Sequence, residues 1–332
     1  MPRPIVELTV DGQPMAAAFY SRLVRLEVVD NEADKADTFS AELEDGPAGA
    51  LAIPRRGAEV KIWMGYAETG VRYMGAFTVD EVEVACLPYT MRISGKSASM
   101  RGGLKQPKER HWDGKTIRQI AEKIAGENGL QAKVDSTIGS RKYEWLGQQD
   151  ESDLHFLRRI VARHGGMVVI KDDKLIIAPR GEGKSAGGQA LTTLVITPPM
   201  IVPGSCRVKF VDRPRYKAVV AYWQDRAAAK RRQVRVESDP KAKAVLKLRE
   251  PFASEAEAKA AAKARAKETR RAADSASVVI EGNIAAMAGA PMTFSGVRAG
   301  VDGVEFVQKT VRHSFAKGDG YRTSIEAKAK AT

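Results

Sequence analysis

The sequence predicts a mainly β protein of the α+β class, with strand-rich sandwich-like or barrel-like domains at both chain ends. Three observations predict this fold. Short β-rich runs separated by Gly, Pro and Asp turn signals fill residues 1–105. Apolar stripes with helical spacing occur between residues 106 and 180. Strand-like runs then resume at residue 191 and continue to the end of the sequence.

The bulk composition is that of a globular protein. The 332 residues have room for two or three domains, and 43% hydrophobic with 29% charged residues exclude a disordered chain. No apolar run approaches the ~20 residues that cross a bilayer, and no signal-peptide stretch opens the sequence. We therefore expect the protein to be synthesised in a cytoplasm and to have no membrane anchor. Cys86 and Cys206 have neither disulfide-framework nor metal-ligand spacing, so we expect no metal and no cofactor.

Residues 1–105 read as consecutive short strands. A first apolar run ends at the turn signal Asp11-Gly12, and a second run covers residues 23–29. Between Thr38 and Glu44 the sequence alternates strictly, which puts every second side chain on one buried face. Similar runs follow at residues 60–64, 71–85 and 89–95. This segment is the predicted N-terminal β-barrel.

Residues 106–180 form the predicted α+β middle domain. Asp113 is placed to cap a helix that ends at Asn128-Gly129. A second helix is predicted to open at Asp150, and we interpret Glu151 and Asp153 as first-turn carboxylates that suit the helix dipole. Gly165-Gly166 ends that helix, and a hairpin turning at Asp172-Asp173 follows.

Residues 181–190 are a linker by composition, and residues 191–332 form the predicted second β-barrel. An inserted helix is predicted at about residues 254–273. Ser254 and Glu257 have the capping-box spacing at its start, and its body is rich in Ala, Lys and Arg. Alanines bury little area, so we expect this helix to lie against the adjoining barrel or a neighbouring subunit.

The net charge of +13 is concentrated in residues 205–271, here called the basic stretch, with 20 Lys and Arg against eight Asp and Glu. Its predicted basic face comprises Arg207, Lys209, Arg213, Arg215, Lys230, Arg231, Arg232 and Arg235. Aromatic residues such as Tyr222 and Trp223 are interleaved with these cations. Three interpretations stay open at this point: nucleic-acid binding, a surface matched to an acidic protein, and a simple solvated face.

The sequence contains little that indicates catalysis. The four histidines include no pair with metal-binding spacing on one helix face, and no serine lies in a Gly-x-Ser-x-Gly elbow. Gly181–Ser185 resembles the end of a phosphate-binding loop but lacks its first glycine. A cell-wall hydrolase that acts through Glu151 is a third hypothesis without a supporting constellation. We predict a protein that is not an enzyme.

One segment resembles a known family. Residues 148–160 resemble the phage late control D family, the baseplate hub of contractile tails, which is related to the hub part of type VI secretion spike proteins. The motif residues, expected to be structural, are Gln149, Glu151, Ser152, Asp153, Leu154, Phe156 and Leu157, with His313 in the C-terminal segment. Supporting stretches are Asp113–Ile117, the hairpin after Gly165-Gly166, and residues 304–323.

The resemblance implies a structural hub without catalytic residues, working as a ring-forming homotrimer with two similar β-barrel domains per subunit. The hub would join the sixfold tail tube to a trimeric piercing spike, with the N-terminal barrel facing the tube. Implied partners are the tail tube protein, the spike protein, and possible tape-measure and baseplate wedge proteins, with transient passage of DNA. The virion baseplate would be its location. The alternative is a nucleic-acid-binding protein that uses the basic stretch.

Overall fold

The computed structural model describes residues 2–33, 35–46, 51–97, 102–185, 187–211, 216–225, 228–271 and 274–330. About 52% of the residues lie in strands and 17% in helices, which confirms the predicted mainly β class. Within the described ranges, no helix combines the length and the apolar character needed to cross a membrane.

The first third of the chain consists of strands and one short helix: β1 Pro4–Val10, β2 Gln13–Pro14, α1 Ala17–Arg22, β3 Leu23–Asn31, β4 Thr38–Glu44, β5 Glu59–Tyr66, β6 Gly70–Cys86 and β7 Tyr89–Ser97. The middle third contains β8 Pro107–Asp113, α2 Ile117–Glu127, β9 Gln131–Val134, α3 Ser136–Gly139, β10 Trp145–Ser152, α4 Asp153–Ala162, β11 Gly166–Lys171 and β12 Lys174–Pro179. The last part contains β13 Leu194–Ile196, β14 Arg207–Lys209, β15 Tyr216–Asp225, β16 Lys230–Glu237, β17 Ala244–Phe252, α5 Glu255–Arg271, β18 Ser275–Glu281, β19 Pro291–Phe294, β20 Phe306–Ala316 and β21 Gly320–Ala329.

Strands from both chain ends belong to one sheet, here called the main sheet. Its strand order is β14-β18-β21-β20-β3-β4-β7-β6-β5-β1-β2, with β13 and β19 off this path. The link between the ends is β20, which pairs antiparallel with β3 so that Ser314 lies opposite Glu27. The prediction of two barrels is therefore not confirmed as stated, because the strands pair across the chain ends and the described residues form no closed barrel. The backbone N–H and C=O groups along the facing edges of β3 and β20 are therefore paired with each other.

Two apolar cores lie under the main sheet. One is built by the N-terminal strands, with Leu26, Ile62 and Phe77 fully buried. The other is built by β13 and β18–β21, with Phe294 and Phe306 at its centre. Each end of the chain therefore has its own core, although the backbone sheet is shared.

The middle third packs α2 and α4 around a core that includes Ile120, Phe156 and Ile160. The predicted hairpin is confirmed: β11 and β12 pair, and Asp172 and Asp173 both take positive φ at its turn. The helix starts differ from the prediction. Thr116, not Asp113, caps α2: its side chain accepts a hydrogen bond from the backbone N–H of Gln119, and its backbone N–H donates to the Gln119 side chain in the reciprocal capping-box bond.

The described residues of the segment 216–271, here called the basic module, include a sheet that is distinct from the main sheet. Its sheet has the order β16-β15-β17, and α5 covers one face by packing alanines against Val219 and Ala221. The predicted helix is thus present as α5, but it rests on this small sheet and not on the main sheet. The strands β16 and β17 are not apparent in the sequence because Lys and Arg occupy many of their positions.

The predicted linker is short and turns back on itself, with Lys184 bridged to Ala190. The domain division of the chain stays a prediction.

Candidate functional site

A network of charged side chains surrounds the start of α4, in the motif region. The side chain of Asp153 is completely buried. It accepts a hydrogen bond from Lys108 Nζ at 2.7 Å and one from Gln148 Nε2 at 2.9 Å, and it forms an ion pair with Arg110. Burial raises the pKa of this carboxyl, but the hydrogen bonds from Gln148, Lys108 and Arg110 outweigh burial and hold the pKa below its ordinary value. The network joins β8, β10 and α4.

The structure corrects the interpretation of the neighbouring carboxylates as a charged first turn. Helix α4 begins at Asp153, and Ser152 is its N-cap, accepting from the backbone N–H of His155 at 3.3 Å. Glu151 lies in the preceding strand β10, where both of its oxygens face Arg159 and one also meets His155 at 3.0 Å. Asp150 has a positive φ of 48° ahead of the helix. Ion pairs hold the carboxylates of Glu151 and Asp153, and of the two only Asp153 lies in the first turn.

The other motif residues divide between core and surface. Leu154, Phe156 and Leu157 are buried in the core of the middle third, whereas Gln149 is exposed. Their predicted structural role fits these positions and stays a prediction.

Because Glu151 is held by Arg159 and His155, this carboxylate is poorly placed to transfer a proton to a substrate. In the part of the chain that the structure describes, no three His, Cys, Asp or Glu side chains converge to hold a metal ion.

A second charged cluster joins the middle third to the main sheet. Lys171, at the end of β11, forms ion pairs with Asp30 and, at 3.0 Å, with Asp37. Beside it, the Tyr73 hydroxyl donates to Asp172 Oδ1 at 2.9 Å. Burial, together with the charge of Asp30, raises the pKa of Asp37 to about 6, although Lys171 acts in the opposite direction. Burial acts to raise the pKa of Asp30 as well, but its contacts with Lys171 and with the Ala288 backbone N–H outweigh burial and lower this pKa.

His313 lies in the main sheet, far along the chain from the rest of the motif and in a different core. Its side chain is only 2% exposed, and its Nδ1 atom lies 2.7 Å from the Tyr321 hydroxyl. Burial lowers the pKa of this imidazole to about 4. The structure therefore does not bring His313 together with the motif residues around Asp153.

The buried His313 predicts a loss of stability in acid. Its folded pKa of about 4 lies below its ordinary value of 6.5, so the unfolded chain binds the proton first as the pH falls. We expect His313 to remove up to about 1.4 kcal/mol of unfolding free energy per pH unit between pH 6.5 and 4. Asp37 contributes the opposite trend, because its raised pKa stabilises the folded chain as the pH falls through 6.

Urea unfolding of the wild type and of His313→Gln at pH 7, 6 and 5 separates the two trends, since both chains contain Asp37. The wild type should lose stability relative to the variant as the pH falls. A difference between the two chains that stays constant over this range would mean that His313 does not titrate as described.

One side of the main sheet is polar from β18 to β6. A single register row across seven strands carries Glu281, Arg322, Ser314, Glu27, Ser40, Ser94 and Glu81. The adjacent row carries Ile280, Thr323, His313, Val28, Phe39 and Gly95, all buried. Side chains therefore alternate between the apolar cores and one continuous polar surface, here called the polar face. Several of its charges are paired, such as Arg312 with Glu27.

The middle third lies on the side of the main sheet opposite to the polar face. Asp30, which binds Lys171, is paired with Val311 in the buried side of the register. The basic module in turn contacts the middle third through α5, where Glu257 accepts from Arg163 at 2.8 Å. Neither unit therefore covers the polar face through the contacts described.

The residues of the predicted basic face fall into two groups. Arg207 and Lys209 lie exposed on β14, the edge strand of the main sheet. Lys230, Arg231, Arg232 and Arg235 lie exposed on β16 of the basic module, in a different sheet. Arg213 and Arg215 lie outside the described residues. The structure therefore does not unite this set into one face.

Within the basic module, several cations already have partners. Arg231 stacks over the ring of Tyr222 at 3.9 Å, Arg232 pairs with Asp225 at 2.8 Å, and Arg235 pairs with Glu237 at 2.7 Å. Trp223 points towards the helix-covered core. The aromatic rings are thus engaged within the protein and are not a free stacking platform for bases.

Sequence reasoning missed Lys108, Arg110 and Lys171 as partners of the buried carboxylates. Lys171 carries the clearest local signal, because it ends the apolar run from Met167 to Ile170 at a hairpin. Arg110 is two residues before the buried Trp112, and no local sequence pattern links it to Asp153, which is 43 residues away. Such pairs become visible only in three dimensions.

A family model matches most of the chain. The model described as phage tail baseplate hub (GPD) matches residues 36–319. A probable baseplate hub protein of Escherichia phage 186 is 31% identical over 264 residues, which cover 78% of this chain and 67% of that protein. A probable baseplate hub protein of Escherichia phage P2 is 32% identical over 220 residues, covering 66% and 56%. The chain thus spans 56–67% of the length of these two relatives.

Solved structures with low sequence identity share the fold. A 43 kDa tail protein of prophage MuSo2 from Shewanella oneidensis has a TM-score of 0.73 and 14% identity, with 98% of both chains covered. An Escherichia coli component of the type VI secretion system, described as similar to the T4 tail proteins gp27 and gp5, has a TM-score of 0.59 and 12% identity over 97% of this chain and 76% of that one.

Proposed function

Because the chain belongs to the phage tail baseplate hub (GPD) family, we propose that it is a structural subunit that assembles as a homotrimer at the tail axis. The resemblance predicted from residues 148–160 is confirmed by this membership. The family is structural, and the observation that carries the proposal is the fold itself, in which both chain ends share one sheet. The finer architecture, including the join between a sixfold tube and a trimeric spike, is proposed here.

Two features of the main sheet support a ring. Each chain contains two apolar cores under one sheet, so three chains would contribute six such units, which suits a sixfold tube. The polar face is continuous across seven strands, and the described parts of the middle third and the basic module lie elsewhere. We infer that the polar face lines an axial opening, where water-exposed side chains would let tail contents pass.

The basic module fits the outside of such a ring. It holds 16 Lys and Arg against seven Asp and Glu and is connected through α5 to the middle third, on the side away from the polar face. We infer that it meets an acidic surface of another baseplate protein, such as a wedge protein, and not the contents of the axis. Among the residues of the predicted basic face that the structure describes, Arg207 and Lys209 alone lie on the polar side of the main sheet.

A mass measurement tests the homotrimer. We expect the purified chain, at micromolar concentration in low salt, to have three times the mass of the 36.1 kDa subunit by native mass spectrometry or light scattering. Association through one repeated contact closes into a ring, so the trimer should be the end state without larger open polymers. A chain that stays monomeric at all concentrations would contradict the proposal.

The alternative function, nucleic-acid binding through the basic stretch, predicts another outcome in the same samples. A monomer that binds DNA with an affinity falling steeply with salt would favour it. The observed structure argues against that alternative, because three of the four cations of β16 are stacked or ion-paired, and all four lie in a different sheet from Arg207 and Lys209.

A further inference from the structure

Two exposed strand edges lie at the two ends of the polar face. At one end, β14 pairs with β18, and no described strand pairs with its other side. At the other end, β6 pairs with β7 along residues 77–86, but its pairing with β5 covers only residues 70–78. Residues 80–86 of β6 are therefore a second edge whose outer backbone groups have no strand partner among the described residues. Such edges are templates for strand addition.

The edge at β14 is positively charged on its polar side. Arg207 and Lys209 are exposed there, and neither has an ion pair within the described residues. Their strand neighbours are the small Ser277 and Ser275, which form the floor of a groove that Lys309 also lines. Arg207, Lys209 and Lys309 thus meet a single carboxylate in this groove, that of Glu326, which lies opposite Ser277.

The edge at β6 has the opposite charge. Glu81 and Glu83 are exposed on the polar side, opposite Ser94 and Arg92 of β7, and neither has an ion pair within the described residues. In both edges a charged residue, a valine and a second charged residue follow each other: Arg207-Val208-Lys209 and Glu81-Val82-Glu83. The valines point to the apolar side in both cases, where Val208 packs against one core and Val82 against the other.

Exposed apolar residues accompany both edges. Phe210, immediately after β14, is 54% exposed, and Val84 of β6 is 41% exposed. Exposed apolar side chains on an unpaired strand edge favour the addition of another strand at that edge. The two edges thus carry opposite charges on the polar side of the sheet, and both carry apolar residues on the other side.

We propose that residues 80–86 of one copy bind the β14 edge of a second copy, with Glu81 and Glu83 facing Arg207 and Lys209. This inference rests on the proposed self-association and names the surfaces that carry it. Alternate residues of a strand lie about 7 Å apart, so two carboxylates and two cations with the same spacing can face each other across one edge. Because the two surfaces differ, the contact is head-to-tail and closes into a ring when the rotation per subunit allows it.

Charge reversal at either edge tests the contact. We expect the double variants Glu81→Lys with Glu83→Lys, and Arg207→Glu with Lys209→Glu, to weaken the trimer at least tenfold, because like charges then face each other at every contact. The chain with all four substitutions restores opposite charges and should form trimers again. The measurement is the trimer fraction by native mass spectrometry over a dilution series.

Matched reversals away from the edges control for net charge. Lys241→Glu with Lys243→Glu in the basic module, and Glu109→Lys with Glu122→Lys in the middle third, make the same changes at exposed positions and should leave the trimer intact. A trimer that survives both edge reversals, or a four-substitution chain that stays monomeric although it is folded by circular dichroism, would overturn the edge contact alone. A monomeric wild type would overturn the homotrimer itself.

Discussion

Replacing the buried carboxylate of Asp153 by a methyl group (Asp153→Ala) is expected to lower the free energy of unfolding by about 3–5 kcal/mol. Asp153 has no exposed side-chain surface and is the common acceptor for Lys108, Arg110 and the fully buried Gln148. Its removal leaves Lys108 and Arg110 with only the partly exposed Glu127 as a carboxylate partner, and it takes from the buried Gln148 amide one of its hydrogen bonds. Both effects destabilise the folded state. The loss should be seen by urea unfolding as a lower midpoint.

Two further variants make the prediction specific. Asp153→Asn keeps the shape and some hydrogen bonds but removes the charge, so its loss should be intermediate. Glu122→Ala removes an exposed carboxylate from α2 and should change stability by no more than about 0.5 kcal/mol. If Asp153→Ala lost less than about 1 kcal/mol, the network would not be the structural centre of the motif region.

Lys171→Met is expected to have the second largest effect, about 2–4 kcal/mol at pH 8, because it leaves Asp30 and Asp37 facing each other without a cation. This expected loss of unfolding free energy is smaller than for an ion pair without solvent exposure, since the Lys171 side chain is 29% exposed. The deficit should shrink as the pH falls below about 6. Asp37 already has a raised pKa in the wild type, and protonation removes the repulsion.

The double variant Lys171→Met with Asp37→Asn isolates this repulsion. We expect it to recover a large part of the stability lost by Lys171→Met, a coupling that a double-mutant cycle measures directly. The cluster also holds the β11–β12 hairpin to the main sheet, so limited proteolysis of Lys171→Met should cut this hairpin faster than in the wild type. Equal losses at pH 8 and pH 5 would contradict the assigned role of Asp37.

Local sequence patterns determined much of the secondary structure. The alternation of Phe39, Ala41 and Leu43 sets the buried face of β4, and the turn residues Asp172-Asp173 set the hairpin, because backbone conformation and side-chain period are properties of neighbouring residues. The same holds for the start of α5, where the Ser254 hydroxyl accepts from the backbone N–H of Glu257 at 3.2 Å. The motif around Asp153 was sufficient to indicate the family, without showing why its acidic residues are there.

Tertiary structure alone decided how these elements combine. The pairing of β3 with β20 joins residues almost 300 positions apart. Asp153 lies in the first turn of α4 as predicted, but the partners of its charge, Lys108 and Arg110, come from the distant strand β8. The basic stretch was divided between two sheets. In each case the partner is chosen by packing across the whole fold, and sequence-local patterns contain no record of contacts made at such distances.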